Sequence, residues 1–575
     1  MTAKMHRLSV GAIILLLAFG LGRPLHAQYT TSTLGVTIVD ASGAAVPDAK
    51  ISVRSVDTGL QKTSTSGSNG SFIFNALPIG RYEVTVEKAG FSTFTQTGIT
   101  LTVNQPVNIP VTLKVGGASE QVTVTAEAPM LDTETATVGQ LTSNKSIVEL
   151  PLNGRTPQTL LFLAAGTANE TGKYCLVNCQ GGVYPGEQDA NVGGAGTRSV
   201  NYQMDGGNHN DSYLNTNLPF PNPDAIQEFN VGTDNLSAQY GIGAGAVVNI
   251  VTKSGTNSIH GDAFEFVRNG DLNAKNYFAP THDTLKRNQY GFAVGGPILK
   301  SKLFYFGTYQ GTKTRSSALG NVAFVPTAAE RTGDFSASGI TVTNPATGLP
   351  YPGDQIPVSA PAQYFLSHIP LPNGPNGELT YHGPSVVQND DQYLIKANWN
   401  QTKNSVVGSW FWTRFNEPPD LSIGATNVIA SDGSGNQVTI KNLALNDTYT
   451  LSPRVLFNTW YSWTSQTGGS LSGAPFSYPT AGVQIAAPTP PELSMTVGGF
   501  FSIRTNHLGT FDRGDYSIRE DVTMERGPND LHIGGEALHV YNNLVNTYNM
   551  SGSFTFSGNL SGSNISDFLL GTASN

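Results

Sequence analysis

Apolar and polar residues alternate with a period of two along most of this chain. Leu34-Gly-Val36-Thr-Ile38-Val39 followed by Asp40-Ala-Ser-Gly43 has the form of a strand closed by a turn. Phe72 and Phe74 share one face of a strand, and Tyr82, Val84 and Val86 share one face of the next, with Leu77-Pro78-Ile79-Gly80 as the turn between them. From Ser32 to about Val115 the pattern predicts a small antiparallel β-sandwich with these side chains as its core. Helical signals are confined to Ser146 to Glu149 and Thr156 to Leu163, within a Gly-rich and Asn-rich region that predicts a small mixed α+β unit with long loops.

From Ile259 the strands lengthen, as in Gly261-Asp-Ala-Phe264-Glu-Phe266-Val-Arg268 and Lys302-Leu-Phe304-Tyr-Phe306-Gly-Thr-Tyr309. Tyr393, Ile395, Ala397 and Trp399 fall on one face, with Lys396, Asn398 and Asn400 on the other, as a wall between lipid and a wet lumen requires. Connections also alternate in length. Strands reaching Asn400, Leu451 and Arg526 are closely joined to strands leaving Ser405, Val455 and Leu531, whereas Arg315 to Gln392, Phe415 to Lys441 and Trp463 to Tyr516 are long excursions. Short periplasmic turns and long outer loops are the habit of transmembrane β-barrels.

Composition supports this. Charged residues are only 13 % of the 575, about half the usual share. The net charge is −9, and Lys and Arg are scattered singly, which argues against nucleic acid as a partner. Lys4 and Arg7, an apolar run from Leu8 to Leu21 and a small-residue end at Ala27 predict a signal peptide over residues 1–27. Its apolar run, about 14 residues, is short of the roughly 20 that a membrane helix needs. Cys175 and Cys179 are the only cysteines, and in an exported chain they predict one local disulfide rather than a metal site.

The residues Gly35, Asp40, Gly43, Pro47 and Ala49, then Gly70-Ser-Phe72-x-Phe74-x-x-Leu77-Pro78-x-Gly80-x-Tyr82-x-Val84, then Ala89-Gly90-Phe91, resemble the carboxypeptidase regulatory-like family. That resemblance implies a transthyretin-like sandwich without catalytic residues, an accessory or docking module. After Gly116-Gly117-Ala118-Ser119, which reads as a flexible joint, the segment Glu120, Gln121, Val122, Thr123, Val124, Thr125 and Ala126 alternates Val and Thr. It suits either a last sandwich strand or a segment that adds to a partner's sheet edge, and in the second form it resembles a TonB box.

Three further stretches resemble the plug of TonB-dependent receptors: Leu150-Pro-Leu-Asn153-Gly154-Arg155; Ser199-Val-Asn-Tyr202-Gln-Met204-Asp205-Gly206; and Ala225-Ile226-Gln-Glu228-Phe229 through Tyr240-Gly241 to Gly245-Ala-Val247-Val248-Asn249-Ile250-Val251-Thr252-Lys253-Ser254-Gly255-Thr256-Asn257. Ile226-Gln-Glu228-Phe229-Asn-Val231 stands where general plugs carry Arg-Ile-Glu-Val, a departure that resembles the Oar-like subfamily. Asn288-Gln289-Tyr290-Gly291-Phe292-x-Val294-Gly295-Gly296-Pro297-Ile298, Phe304-Tyr305-Phe306-Gly307 and Leu371-Pro372-Asn373 are similar to the opening of that subfamily's barrel, with looser, loop-like matching between Ala318 and Asn389.

Candidate chemistry changes little. Gly241-Ile-Gly243-Ala-Gly245 precedes a Val-rich strand, not the helix that a phosphate-binding loop opens. His532, Glu536 and His539 lack the spacing of a zinc helix. Asp205 to Asp211 offers oxygen ligands without a calcium-loop spacing, and reads as a plug turn. No catalytic residue, metal or cofactor is predicted.

The fold class expected is mostly β: a transthyretin-like β-sandwich at 30–115, a linker with the TonB-box-like segment at 116–128, a plug at 129–258 and the first part of a transmembrane antiparallel β-barrel at 259–575. The barrel is expected to be incomplete. After Ser258 the chain has about 317 residues (575 − 258), fewer than about 22 strands with long outer loops would use. The resemblance implies active transport of an unidentified extracellular substrate across the outer membrane of a Gram-negative bacterium, powered by the TonB energy-coupling complex, with the sandwich in the periplasm. The rival is an adhesin or structural barrel that binds partners through its long loops without transport.

Overall fold

The computed structural model describes residues 31–574 except 104, 117–120, 126–137, 171–183, 185–186, 235, 237–239, 242–244, 276, 278–281, 318–319, 383–384, 419–427, 430–434, 453, 472–475, 486–492, 505–508, 527–528 and 547–549. The expected signal peptide and Cys175 and Cys179 lie outside the described residues.

The N-terminal strands are β1 (Thr31–Asp40), β2 (Lys50–Ser55), β3 (Gln61–Thr65), β4 (Ser71–Pro78), β5 (Gly80–Glu87), β6 (Thr93–Leu101), β7 (Val107–Leu113) and β8 (Gln121–Thr125). They form two sheets, in the orders β4-β1-β7 and β3-β2-β5-β6-β8. Leu34, Val36, Ile38, Phe72, Phe74, Tyr82, Val84 and Val86 are buried between them, the face that the alternation predicts. The sandwich is not purely antiparallel, however. β1 runs parallel to β7, and β6 runs parallel to β8, because the chain switches sheets repeatedly and doubles back within one only at β2–β3 and β5–β6. The turn at Leu77 to Gly80 is such a switch, carrying the chain from the sheet of β4 to that of β5.

Inside the barrel wall lie β9 (Val138–Ser143), helix α1 (Asn144–Glu149), a 3-10 helix at Pro157–Leu163, β10 (Thr167–Asn169), β11 (Ala190–Val192), β12 (Val200–Met204), β13 (Gly207–Asn208), β14 (Ile226–Asp234) and β15 (Ala246–Thr252). α1 starts where Ser143 Oγ accepts from the Ser146 amide, a side-chain N-cap. The central sheet has the order β13-β12-β15-β14-β9. β12 and β15 are buried along their whole length, while β9 at the edge is largely exposed. Tyr202, Met204, Phe229, Val248 and Ile250 share one core with Ala293, Phe306, Leu394 and Phe411 of the wall.

The wall strands are β16 (His260–Asn269), β17 (Lys286–Leu299), β18 (Leu303–Ser317), then, after β19 (Gly320–Phe324) and β20 (Glu378–His382), β21 (Ser385–Asn400), β22 (Asn404–Glu417), β23 (Gly435–Ser452) and β24 (Val455–Leu471). After β25 (Ser494–Val497) and β26 (Phe501–Arg504) come β27 (Thr510–Arg526) and β28 (Asn529–Val545), followed by β29 (Phe554–Phe556). β16, β17, β18, β21, β22, β23, β24, β27 and β28 pair in that order, each antiparallel to the next, as an open sheet. Its two faces separate as the alternation predicts: Lys396 is 2 % exposed and Ile395 is 63 % exposed. On the outer face an aromatic band runs across strands, with ring centroids 4.7 Å apart for Tyr309 and Tyr393, 5.2 Å for Tyr393 and Trp412, 5.7 Å for Trp410 and Trp463 and 6.5 Å for Trp463 and Tyr516. Such a band suits a membrane interface.

The segments expected to be loops fold together. β19 and β20, β25, β26 and β29, and the short helices α2 (Ala360–Leu366) and α3 (Asn564–Leu570) build a cap around a shared core that includes Phe335, Phe365, Tyr478, Ile503, Phe556 and Phe568. The Arg331 guanidinium threads it together, donating to the carbonyls of Pro326, Leu366, Ile369 and Pro370 at 2.5–3.0 Å. Long-range apolar contacts among four separated segments, invisible to local periodicity, give these loops their order. The cap grows from the strand ends opposite the short turns, while the sandwich lies at the short-turn end, where the Asn257 amide donates to Asp57 O at 2.9 Å.

Candidate functional site

The contact between the inner unit and the wall holds most of the plug-like motif residues: Asn153, Gly154, Arg155, Asp205, Gly206 and Tyr240. The β12–β13 turn places Asp205 and Gly206 with φ of 48° and 87°, and Gly207 packs beside Ala444 and Ser462 of β23 and β24. Only a glycine fits at 206, since a Cβ there would strike the Trp460 ring. Asp205 accepts from the Thr252 amide at 3.0 Å and from its hydroxyl at 2.5 Å. Across the gap, Lys396 Nζ of β21 donates to Asp205 at 2.8 Å and to Thr252 O at 3.0 Å, and both charged side chains are no more than 2 % exposed. Burial pushes the Asp205 carboxyl up, but the Lys396 charge and these hydrogen bonds outweigh it and hold the group below its ordinary value.

A second buried pair joins Asp211 to Arg513 of β27, whose Nε also donates to Gln466 at 3.1 Å. Between the two pairs, Asn208 O accepts from Asn442 and Thr464, and Asn208 Nδ2 donates to Asp515 at 3.0 Å. His209 is buried beside Phe411 with its Nε2 at 2.9 Å from Pro219 O, and burial lowers its pKa to about 4, so it is neutral. The carboxylates of Asp205 and Asp211 are each paired with a wall cation.

Asn153, Gly154 and Arg155 meet the wall at β16 and β17. Arg155 pairs with Asp224 and lies over the rings of Phe264 and Phe266, 4.5 and 4.1 Å from their centroids. Asn153 Oδ1 accepts from Arg268 at 2.9 Å, and Gly154 O accepts from Gln289 at 3.0 Å. Tyr240 accepts from Asn249 and packs on Trp460, whereas a Cβ at Gly241 would meet open space. Period-two alternation places Lys396 on the lumen face and the plug-like motif marks Asp205, but Arg513 and Trp460 carry no local signal. His532 and Glu536 share one face of β28 and His539 takes the other, so they do not converge. Among the described residues no group of three or more His, Cys, Asp or Glu could hold a metal ion.

The TonB-box-like segment is placed differently from the free linker that the Gly-rich joint suggests. Gln121 to Thr125 is β8, an edge strand parallel to β6 in the register Thr93 with Gln121 to Thr97 with Thr125. Val124 packs partly against the sandwich core, and main-chain pairing explains the docking. Glu120 and Ala126 lie outside the described residues. At the junction of the sandwich with the inner unit, the Val103 amide donates to Glu228 at 2.5 Å, and a cavity of about 290 Å³ is lined by Asp57, Arg81, Glu228, Lys253 and His260 among others.

The family model described as outer membrane beta barrel domain matches residues 251–575. The chain belongs to this outer-membrane β-barrel family. The carboxypeptidase regulatory-like domain model matches residues 33–114 of this outer-membrane protein. The TonB-dependent transporter Oar of Myxococcus xanthus is a homologue, 25 % identical over 299 residues that make up 50 % of this chain and 27 % of Oar. Among solved structures, the siderophore receptor PirA of Acinetobacter baumannii is 14 % identical with a TM-score of 0.41, covering 70 % of this chain and 48 % of PirA. The outer membrane transporter YddB of Escherichia coli is 12 % identical with a TM-score of 0.41, covering 70 % of this chain and 48 % of YddB. The chain thus spans about half the length of PirA and of YddB and less of Oar.

Proposed function

We propose that this protein carries out TonB-dependent transport of an extracellular substrate across the outer membrane, with residues 129–258 as the plug that closes the barrel. The observation that carries this reading is the pair of buried ionic contacts, Asp205 with Lys396 and Asp211 with Arg513, which hold the inner sheet to wall strands far from its chain connection at 253–259. A buried pair loses its advantage once one partner is displaced, so the contacts act as all-or-none catches. The homology to a TonB-dependent transporter supports the assignment, and chemistry on a substrate has no part in it.

The sandwich lies on the periplasmic side in this reading, the cap on the outer side, and Gln121 to Thr125 is the strand that TonB takes. The segment 126–137 leads from there directly to β9, the exposed edge of the plug sheet, so a pull enters the plug at a strand with one neighbour. To test the reading, the ligand that co-purifies with the full-length protein is identified by mass spectrometry and its uptake compared in cells with and without TonB. Surface binding in both and accumulation only with TonB is the expected result. Equal accumulation would reject TonB-dependent transport, and binding without accumulation in either would favour the adhesin.

A further inference from the structure

We infer that the N-terminal sandwich is a holder for the coupling segment: β8 is a removable strand that must leave β6 before TonB can pair with it. This rests on the TonB-box reading above and adds its regulation. Two independent observations carry it. First, β8 is extra to the sandwich. The carboxypeptidase regulatory-like match ends at residue 114, seven residues before β8 begins, and the core from Leu34 to Leu113 is closed by β1 to β7. Among the described side chains, every fully buried member of that core lies between Leu34 and Leu113, and Val124 of β8 is only half-buried against it.

Second, the pairing is short and at an edge. Five register pairs link β8 to β6, and among the described residues β8 has no other neighbouring strand. An edge strand held by a few main-chain hydrogen bonds is the kind that exchanges one sheet partner for another. The exchange is close to neutral in hydrogen bonds, because those made with an incoming strand replace those lost to β6. The sandwich therefore lowers the apparent affinity for TonB by the fraction of time that β8 spends docked.

The test fixes β8 in place. Thr95 and Thr123 are register partners, Thr123 is exposed, and neighbouring strands lie about 4.8 Å apart, within the span a disulfide bridges. Thr95→Cys and Thr123→Cys are introduced into full-length protein in which Cys175 and Cys179 are replaced by Ser, and closure is followed by thiol titration. The probe is the purified periplasmic C-terminal domain of TonB. The expected result is binding to the reduced protein, at least a tenfold weaker affinity after oxidation, and recovery on reduction. Equal binding by the two forms would overturn the inference, since TonB would then pair with docked β8. Absence of binding to reduced and parent proteins alike would instead reject the TonB-box reading itself. Hydrogen exchange on the parent protein gives a second readout that needs no cross-link: amides of Thr93 to Thr97 bonded to β8 should lose protection when the TonB domain is added, and retained protection would contradict release.

Discussion

Gly206 and Asp205 concentrate the constraints of the plug seat. Gly206→Ala adds a methyl where φ is 87° and the Trp460 ring is in contact, so the β12–β13 turn must shift away from β24 at a cost of about 1–3 kcal/mol. Asp205→Ala does more, since it leaves the Lys396 ammonium buried with only Thr252 oxygens. Removal of one partner of such a pair costs about 3–5 kcal/mol. The double variant Asp205→Ala with Lys396→Met removes the stranded charge and should be less destabilised than Asp205→Ala alone. Urea dependence of hydrogen exchange in β12 and β15 measures all three. A double variant no better than the single one would show that the ion pair is not what seats the turn. Of these residues, Lys396 was legible as a lumen residue, because Ile395 and Ala397 flank it on the lipid face. Arg513 was not: Phe511, Arg513 and Asp515 share one face and Thr510, Asp512 and Gly514 the other, so neither face is consistently apolar and alternation disappears there.

At the scale of elements, the junction between β14 and the sandwich has a pH dependence of its own. Burial raises the Glu228 carboxyl to about 7 from an ordinary 4.5, despite the Val103 amide that favours the ionised form. The docked state therefore binds a proton more readily than the undocked one. Docking should be firmest below about pH 4.5 and weaken as the pH rises toward 7. Glu228→Gln should flatten this profile, as judged by protease cleavage between sandwich and plug at pH 5 and pH 7.5. A profile unchanged by the substitution would assign the dependence to another group.

The cap is a second element-level case. Arg331→Met leaves four carbonyls without their shared donor, and at roughly 1.5–3 kcal/mol for a charge-assisted hydrogen bond the cap should loosen enough for limited proteolysis to cut within 320–382. Uncut protein under conditions that leave the parent intact would refute this role. Sandwich, plug and wall strands were readable because each has a local period or motif. The cap was not, because its core is assembled from residues as distant as Phe335 and Phe568. The sequence left the docking of β8 open, since a Val and Thr alternation fits an edge strand and a free segment equally.

For the whole molecule, polarity is the organising feature: the sandwich at the short-turn end, plug within the wall, aromatic band outside it, and cap beyond the opposite strand ends. Under the proposed function, this order leaves β8 on the side of the energised partner and the cap on the side of the substrate. The central claim is that residues 138–252 close a pore which the wall would otherwise leave open, and conductance tests it most directly. Full-length protein in a planar lipid bilayer should pass almost no ionic current, and a variant lacking residues 138–252 should show large, stable open channels. Equal currents from the two proteins would contradict the account, because the inner domain would then not be the gate.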